Sequence, residues 1–141
     1  MPKGYYAIKK TSNPKKATAW KWFSKYIRLR DALKTTGTTT HARCITCGHV
    51  YPMEKIHAGH AIAGRYNSIL FHEALCNGQC ETCNCNGGGE YQAYKRILIE
   101  RHGQAKWDFW ESMKNRHVEY SQFDYEQLAR EYRLKAKELI K

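Results

Sequence analysis

Apolar residues recur at helical spacing near both ends of the chain and lose that spacing in the middle. The first helical stretch begins at Asn13 and Pro14, because Asn caps a first turn well and Pro lacks the N–H that would be unpaired there. The pattern predicts a helix that runs to about Lys34, with Gly37 as its stop. Its apolar stripe consists of Trp20, Phe23, Ile27 and Ala32 or Leu33.

The C-terminal part of the chain predicts three further helices. The first covers residues 90–101 and ends at Gly103, the second follows at once, and the third starts near Asp124. The residues expected to face inward from these helices are Tyr91, Tyr94, Ile97, Leu98, Trp107, Trp110, Met113, Tyr125, Leu128, Tyr132 and Leu139. The chain therefore predicts helices on both sides of a different kind of middle segment.

Residues 35–40 show no helical pattern and predict a linker, while residues 44–86 are rich in Gly, Cys, His and Asn. Such a composition predicts short strands and turns organised around a metal ion. The basic, aperiodic residues 1–12 predict a flexible arm. With 141 residues, we expect this arm, one compact domain at 13–103 and a helical extension at 104–141.

Lys and Arg number 24 against 13 Asp and Glu, which gives a formal net charge of +11. Such an excess attracts polyanions, and nucleic acid is the leading partner because aromatic residues lie among the basic ones. An anionic membrane surface and a merely soluble basic protein remain alternatives. No apolar run has the length of a signal peptide or of a membrane span, which takes about 18 residues. We therefore expect no membrane association and a reducing, cytoplasmic location.

Cysteine spacing supplies the strongest chemical signal in this sequence. The pairs Cys44 with Cys47 and Cys80 with Cys83 share the C-x-x-C spacing, which turns two thiolates toward one ion. Two such pairs predict a closed, structural zinc site, because thiols in a reducing compartment rarely form disulfides. The remaining thiols, at Cys76 and Cys85, are interpreted as spare.

Chemistry at such a zinc ion is excluded because four sulfurs leave no open position for water or substrate. His57 and His60 lie between the pairs, and Asn84 directly follows the last ligand, so the zinc would hold them at fixed separations. An imidazole that titrates near neutrality suits the activation of water in phosphodiester hydrolysis. A divalent cation would stabilise the phosphate charge, held by carboxylate, amide and imidazole ligands.

Residues 20–103 resemble the HNH endonucleases, most closely the NinG (Rap) recombination proteins of lambdoid phages, and are similar in plan to phage recombination endonuclease VII. The positions that carry the resemblance are Phe23, Ser24, 27–32 (IRLRDA), 44–48 (CITCG), 57–60 (HAGH), Phe71, Gln79, Cys80, Cys83, Asn84, Tyr94, Leu98, Arg101 and Gly103. The resemblance implies an α+β fold, in which a zinc-stapled ββα-metal core of HNH or treble-clef type is flanked by N-terminal and C-terminal α-helices.

The resemblance also implies that His60 is the general base and that Asn84 binds a catalytic Mg²⁺ or Mn²⁺. Gly59 stands where the family usually has a metal-binding Asp, so His57 and Glu73 are the candidates to complete the metal shell, with Glu90 behind them. Leu75 stands where the family has an Asn that holds the active-site loop, and Asn77 could substitute for it.

Function follows as an expectation: a metal-dependent DNA endonuclease that cuts branched recombination intermediates such as Holliday junctions and D-loops, in the host cell of a phage or prophage. The residues expected to contact DNA phosphates are Lys16, Lys21, Lys25, Arg28 and Arg65. A homodimer would suit a two-fold symmetric junction. Trp107, Trp110 and Tyr132 could form its interface or belong to the core.

Two other functions remain open from the sequence. A non-catalytic zinc module that binds DNA and acts in recombination would need the cysteines and the basic surface, and Gly59 and Leu75 favour it slightly. A redox protein that uses C-x-x-C would need accessible thiols of low pKa in a βαβ setting, and the sequence shows no sign of either.

Overall fold

A computed structural model describes residues 13–141, so the arm predicted for residues 1–12 lies outside the described part. The elements combine helices with two small antiparallel sheets, and the α+β class is confirmed. In chain order they are α1 (Pro14–Thr36), β1 (His41–Arg43), β2 (Val50–Pro52), β3 (Ile56–His60), α2 (Asn67–Leu70), β4 (Cys76–Cys80), α3 (Tyr91–His102), α4 (Gln104–Met113) and α5 (Gln122–Leu139).

Helix α1 has the ends that its sequence predicts. The side chain of Asn13 accepts a hydrogen bond from the N–H of Lys16 at 3.2 Å, and Pro14 is the first helical residue. Gly37 ends the helix in the left-handed conformation, with φ of 72°. The last helical residue is Thr36, two positions later than expected. Of the two candidates for the end of the apolar stripe, Ala32 and Leu33, it is Ala32 that is fully buried.

Strands β3 and β4 form the sheet that carries the site. Their antiparallel register places His57 opposite Gln79, Gly59 opposite Asn77 and His60 opposite Cys76. Side chains alternate along a strand, so His57 and Gly59 share one face of β3 and His60 belongs to the other. Only β4 pairs with β3 among the described strands, which leaves the far edge of β3 without a strand partner.

A buried ionic network fastens α1 to β4. The carboxylate of Asp31 accepts the N–H of Gly78 at 2.6 Å and pairs with Arg30. The guanidinium of Arg30 also donates to the carbonyl oxygens of Glu73 and Cys76, each at 2.9 Å. Each polar group in the network has a partner, which satisfies the main condition for burying such groups. The network explains why a strand buried at every position can lie beside a charged helix segment.

The C-terminal helices pack into the same hydrophobic clusters as the elements that precede them. Trp107 and Trp110 of α4 pack in one hydrophobic cluster with Tyr94 and Leu98 of α3. Tyr132 of α5 lies edge-on against Phe23 of α1, with ring centroids 4.8 Å apart. The aromatic residues considered for a dimer interface are thus core residues.

Two details of the C-terminal helices differ from the sequence prediction. Tyr91 was expected to face inward, and this prediction is wrong, because the side chain is 40% exposed. Helix α5 begins at Gln122 rather than near Asp124, since Ser121 and Asp124 form a reciprocal capping box around its first turn. Within residues 13–141, every helix is too short or too polar to cross a membrane.

Candidate functional site

The four predicted zinc ligands lie together. The sulfur atoms of Cys44, Cys47, Cys80 and Cys83 are all within 4.8 Å of one another, and those of Cys47 and Cys80 are 4.0 Å apart. A tetrahedral ion with Zn–S bonds of about 2.3 Å requires sulfur separations of about 3.8 Å. The cluster therefore could hold a zinc ion with little adjustment of its side chains.

A backbone N–H group points at one sulfur of each cysteine pair. The N–H of Cys47 points at the sulfur of Cys44 at 3.5 Å, and the N–H of Cys83 points at the sulfur of Cys80 at 3.4 Å. Burial opposes ionisation of Cys44, but hydrogen bonds from backbone N–H groups and from the Thr46 hydroxyl outweigh it and lower the pKa of this thiol to about 6. Such donors stabilise negative sulfur, as a structural zinc site requires.

The second cysteine pair leads directly into a polar site. After Cys80 the chain forms a π-helical turn over Thr82–Asn86, which contains Asn84. The amide nitrogen of Asn84 lies 2.9 Å from Nδ1 of His57, and the sulfur of Cys85 lies 3.8 Å from the same ring nitrogen. The structure thus brings together two of the predicted catalytic residues. It also places Cys85, interpreted as a spare thiol, at their side.

His60 lies on the opposite face of β3 and is only 8% exposed. Its ring stacks on Trp20 with centroids 5.2 Å apart, and its Nε2 lies 3.0 Å from the carbonyl oxygen of Leu70. A carbonyl can only accept, so Nε2 carries the proton and Nδ1 keeps a lone pair. Burial, with a smaller contribution from the charge of Arg65, lowers the pKa of His60 despite this hydrogen bond. The imidazole is therefore neutral at neutral pH.

A groove of about 390 Å³ runs along the open edge of β3. Its walls are formed by Trp20, Ser24, Arg28, Met53, Glu54, Ile56, His57, Ala58, Arg65 and Asn84. Arg65 lies over the ring of Trp20, 4.6 Å from its centroid, and Arg28 is half-buried on α1. Two guanidinium groups beside an imidazole and an amide suit a bound phosphodiester.

Glu73 does not lie in this groove. Its carboxylate accepts hydrogen bonds from Tyr132 and Lys135, each at 2.9 Å, so the surroundings of Glu73 do not support its predicted role as a metal ligand. Glu90 lies against Gly87 at the far end of the π-helical turn. The carboxylate that does line the groove is Glu54, which sequence reasoning missed because no motif distinguishes it from other exposed glutamates.

Asn77, which the sequence offered as a substitute for the Asn missing at Leu75, connects β4 to α3. Its amide donates to the carbonyl of Ala74 at 3.2 Å and to the hydroxyl of Tyr94 at 3.1 Å. The hydroxyl of Tyr94 donates in turn to the carbonyl of Gly59 at 2.6 Å. This chain of hydrogen bonds fixes the backbone of β3 beside His60.

A second basic groove lies between α1 and α5, with a volume of about 620 Å³. Trp22 forms part of its wall, and Lys21, Lys25 and Arg133 each lie within 5.8 Å of the centroid of this ring. Helix α5 adds three basic residues to the walls of this groove: Arg130, Arg133 and Lys137. Of the five predicted DNA contacts, Arg28 and Arg65 therefore line the first groove, Lys21 and Lys25 flank the second, and Lys16 lines neither. The contribution of α5 was not predicted.

Comparison with known proteins yields one match. The family model described as Bacteriophage Lambda NinG protein matches residues 3–141. No curated protein and no solved structure matches the chain. The family match covers the cysteine cluster, both grooves and the C-terminal helices.

Proposed function

The chain belongs to the bacteriophage Lambda NinG family, and on that premise we propose that it is an HNH-type, metal-dependent endonuclease for branched DNA. The observation that carries the proposal is the meeting of Asn84 and His57 at 2.9 Å in a groove with two arginines. Asn84 belongs to the turn that also supplies the last cysteine of the metal cluster. A zinc ion there would fix the amide relative to β3.

In the proposed reaction, Arg28 and Arg65 bind the phosphate groups on either side of the scissile bond. His60 does not line the groove, so its ring must turn toward the groove for Nδ1 to remove a proton from a water molecule there; the resulting hydroxide then attacks phosphorus while the bond to the leaving oxygen breaks. The leaving oxygen takes a proton from water. A Mg²⁺ or Mn²⁺ ion bound by Asn84 and His57 would stabilise the extra negative charge on the phosphate.

Branched DNA is the proposed substrate because the chain offers two separate basic grooves that share α1. One groove contains the proposed site, and the other lies between α1 and α5. A junction presents several phosphate backbones at once, so an arm in the second groove would position a strand in the first. A two-fold symmetric junction also suits a homodimer, and we place the reaction in the cytoplasm of the host, where recombining DNA lies.

The test is cleavage of a labelled four-way junction with Mg²⁺ or Mn²⁺ by the zinc-loaded wild-type protein and by His60→Ala. We expect the variant to bind the junction normally and to cut it about 10²- to 10⁴-fold more slowly, as for loss of a general base. His117→Ala is the matched control, because the side chain of this histidine is 84% exposed and, among residues 13–141, bonds only Glu119. Equal cleavage by His60→Ala would remove the proposed base, and a loss only in His57→Ala would transfer the role to His57.

A non-catalytic zinc module for DNA binding is the second candidate. It is favoured by one observation: among residues 13–141, the four cysteines are the only group of His, Cys, Asp or Glu close enough to surround an ion. Junction binding without cleavage, under all cation conditions and in the wild-type protein, would establish this alternative.

A further inference from the structure

The groove between α1 and α5 has apolar walls among its basic side chains. Trp22 of α1 is half-buried there, and Leu134 of α5 is 58% exposed; Pro14 and Ala129 extend the apolar surface. The volume of about 620 Å³ falls within the range of about 300–1,000 Å³ that is usual for pockets binding small organic ligands. A duplex arm held by charge alone would leave these apolar walls without a contact.

The charge around these walls favours an anionic occupant. Five basic residues in or beside the groove form no ion pair within residues 13–141: Lys21, Lys25, Arg130, Arg133 and Lys137. The acidic residue that lines the groove, Glu126, already pairs with Lys15 at 2.6 Å. Residues 1–12 carry three lysines and no acidic residue, so like charges oppose this segment as the occupant.

An unpaired nucleotide combines the two properties that the groove selects. Its phosphate is anionic, and its base has flat faces that stack on an aromatic ring. In a duplex those faces are covered by the neighbouring bases, so a duplex offers the groove only its phosphates and sugars. An unpaired base can lie against Trp22 and Leu134 while the basic residues bind the phosphates on either side of it.

Helix α1 separates this groove from the groove along β3. Thr18 and Trp22 line the one, while Trp20 and Ser24 line the other, because residues two positions apart point to different sides of a helix. A helix with its side chains is about 10–12 Å across. A strand that leaves one groove therefore reaches the other within a few nucleotides.

We propose that the groove between α1 and α5 binds unpaired nucleotides of DNA, with a base stacked on Trp22 and the flanking phosphates bound by Arg133 and its basic neighbours. The inference rests on the proposed function for the choice of DNA, and it narrows the arm in this groove to its unpaired part. Lys21 and Lys25 are exposed, so they can leave the ring of Trp22 for the phosphates when a base takes their place. A branched DNA with an unpaired segment beside the branch would then occupy both grooves at once.

The experiment measures binding of the zinc-loaded, full-length protein to two fluorescein-labelled single strands of about ten nucleotides, by fluorescence anisotropy. One strand is oligothymidylate, and the other has the same backbone with abasic sites in place of the bases. We expect the wild-type protein to bind oligothymidylate at least about tenfold more tightly, because only that strand has bases to stack.

Trp22→Leu keeps an apolar side chain in the groove but removes the aromatic ring. It should bind oligothymidylate about tenfold more weakly and the abasic strand as the wild type does. Arg133→Gln should weaken binding of both strands and lower the slope of log affinity against log salt by about 0.7, as for loss of one phosphate contact. Phe109→Ala is the matched control and should change neither affinity, because this 53% exposed aromatic residue of α4 has Arg116 at 5.5 Å from its ring centroid.

Equal wild-type affinity for the two strands, or no binding of either, would overturn the inference, as would unchanged oligothymidylate binding by folded Trp22→Leu. If Trp22→Leu does not fold, Arg133→Gln on the exposed face of α5 decides, because unchanged binding and slope in that variant equally overturn it. Displacement of oligothymidylate by a polyglutamate peptide of equal charge and equal affinity would assign the groove to an acidic peptide instead.

Cleavage of a fully paired four-way junction is measured in parallel. Single-strand binding that depends on Trp22, without any cleavage, would reject only the nuclease. Cleavage by a protein whose single-strand binding is indifferent to Trp22 would reject only this site.

Discussion

The four-cysteine cluster and the groove along β3 share the same turns of the chain but differ in how complete they are. In the cluster, four sulfurs within 4.8 Å of one another can fill a tetrahedral shell. In the groove, the amide of Asn84 and the imidazole of His57 meet at 2.9 Å beside two arginines, and a volume of about 390 Å³ stays open in front of them. In a metal site that stabilises a fold, the protein fills every ligand position. A site for hydrolysis must instead keep a position open for water or substrate.

The two sites are also coupled in one direction. Asn84 of the groove directly follows Cys83 in the sequence, so loss of a zinc ion from the cluster should displace Asn84, whereas changes in the groove should leave zinc in place. Five predictions test this asymmetry, from the largest expected effect to the smallest.

The largest effect is expected for Cys80→Ser, which removes a buried sulfur of the four-cysteine cluster. Structural zinc contributes about 10–16 kcal/mol in small zinc domains, so the variant should lose its zinc and the cooperative unfolding of the middle segment. Metal analysis and thermal unfolding by circular dichroism measure both losses. Cys85→Ser is the control and should keep one zinc per chain. A Cys80→Ser protein with full zinc and an unchanged melting temperature would contradict the comparison.

Gly59→Ala should destabilise the protein by about 1–3 kcal/mol, because the added Cβ would collide with Gln79. Gly78→Ala is a matched control on the partner strand, where an added Cβ meets its nearest neighbours at 3.4–3.6 Å, an ordinary contact. Urea denaturation gives the free energies of unfolding, and zinc content should stay unchanged in both. Equal stability of the two variants would show that Gln79 moves aside freely.

Cleavage should persist below the pH at which an ordinary histidine becomes protonated. Burial and the charge of Arg65 lower the pKa of His60, so the neutral, active form survives to more acidic pH than the usual value of about 6.5 allows. Arg65→Gln removes the charge and should move the acid limb of the rate profile upward. Single-turnover rates against pH measure the shift, and an acid limb already at or above 6.5 in the wild type would contradict it.

Arg28→Ala and Arg65→Ala should each weaken junction binding and reduce the slope of log affinity against log salt by about one, because each removes one phosphate contact. Zinc content should not change. Arg96→Ala, on the exposed face of α3, controls for the loss of a positive charge alone. Binding isotherms at several salt concentrations provide the slopes, and equal slopes in all three variants would argue against phosphate binding in the groove.

The smallest effect is expected for Glu73→Gln. Burial raises the pKa of this carboxyl, but hydrogen bonds from Lys135 and Tyr132 outweigh it and lower the pKa. The resulting stabilisation is present at neutral pH and is lost as pH falls through the folded pKa; for so exposed a pair it stays below about 1 kcal/mol. Mn²⁺ binding and cleavage should be unchanged. Weaker Mn²⁺ binding by this variant would restore Glu73 as a ligand.

Much of the architecture could be read from local signals. Asn13 and Gly37 mark the ends of α1 because caps act within one helical turn. The spacing of Cys44 with Cys47 and of Cys80 with Cys83 predicted their convergence, since each pair is brought together by a tight turn. Tyr91 was predicted to face inward but is exposed, because helical periodicity alone cannot show where the buried face of a helix ends.

The sequence by itself determined the cysteine cluster, the helices at both ends and the basic charge, because these depend on neighbours in the chain or on composition. Only the tertiary structure decided that His60 and His57, with its partner Asn84, lie on opposite faces of β3, that Glu73 pairs with Lys135, and that Gln79 packs against Gly59. Strand register and helix packing join residues far apart along the chain, and no local pattern records which of them will meet.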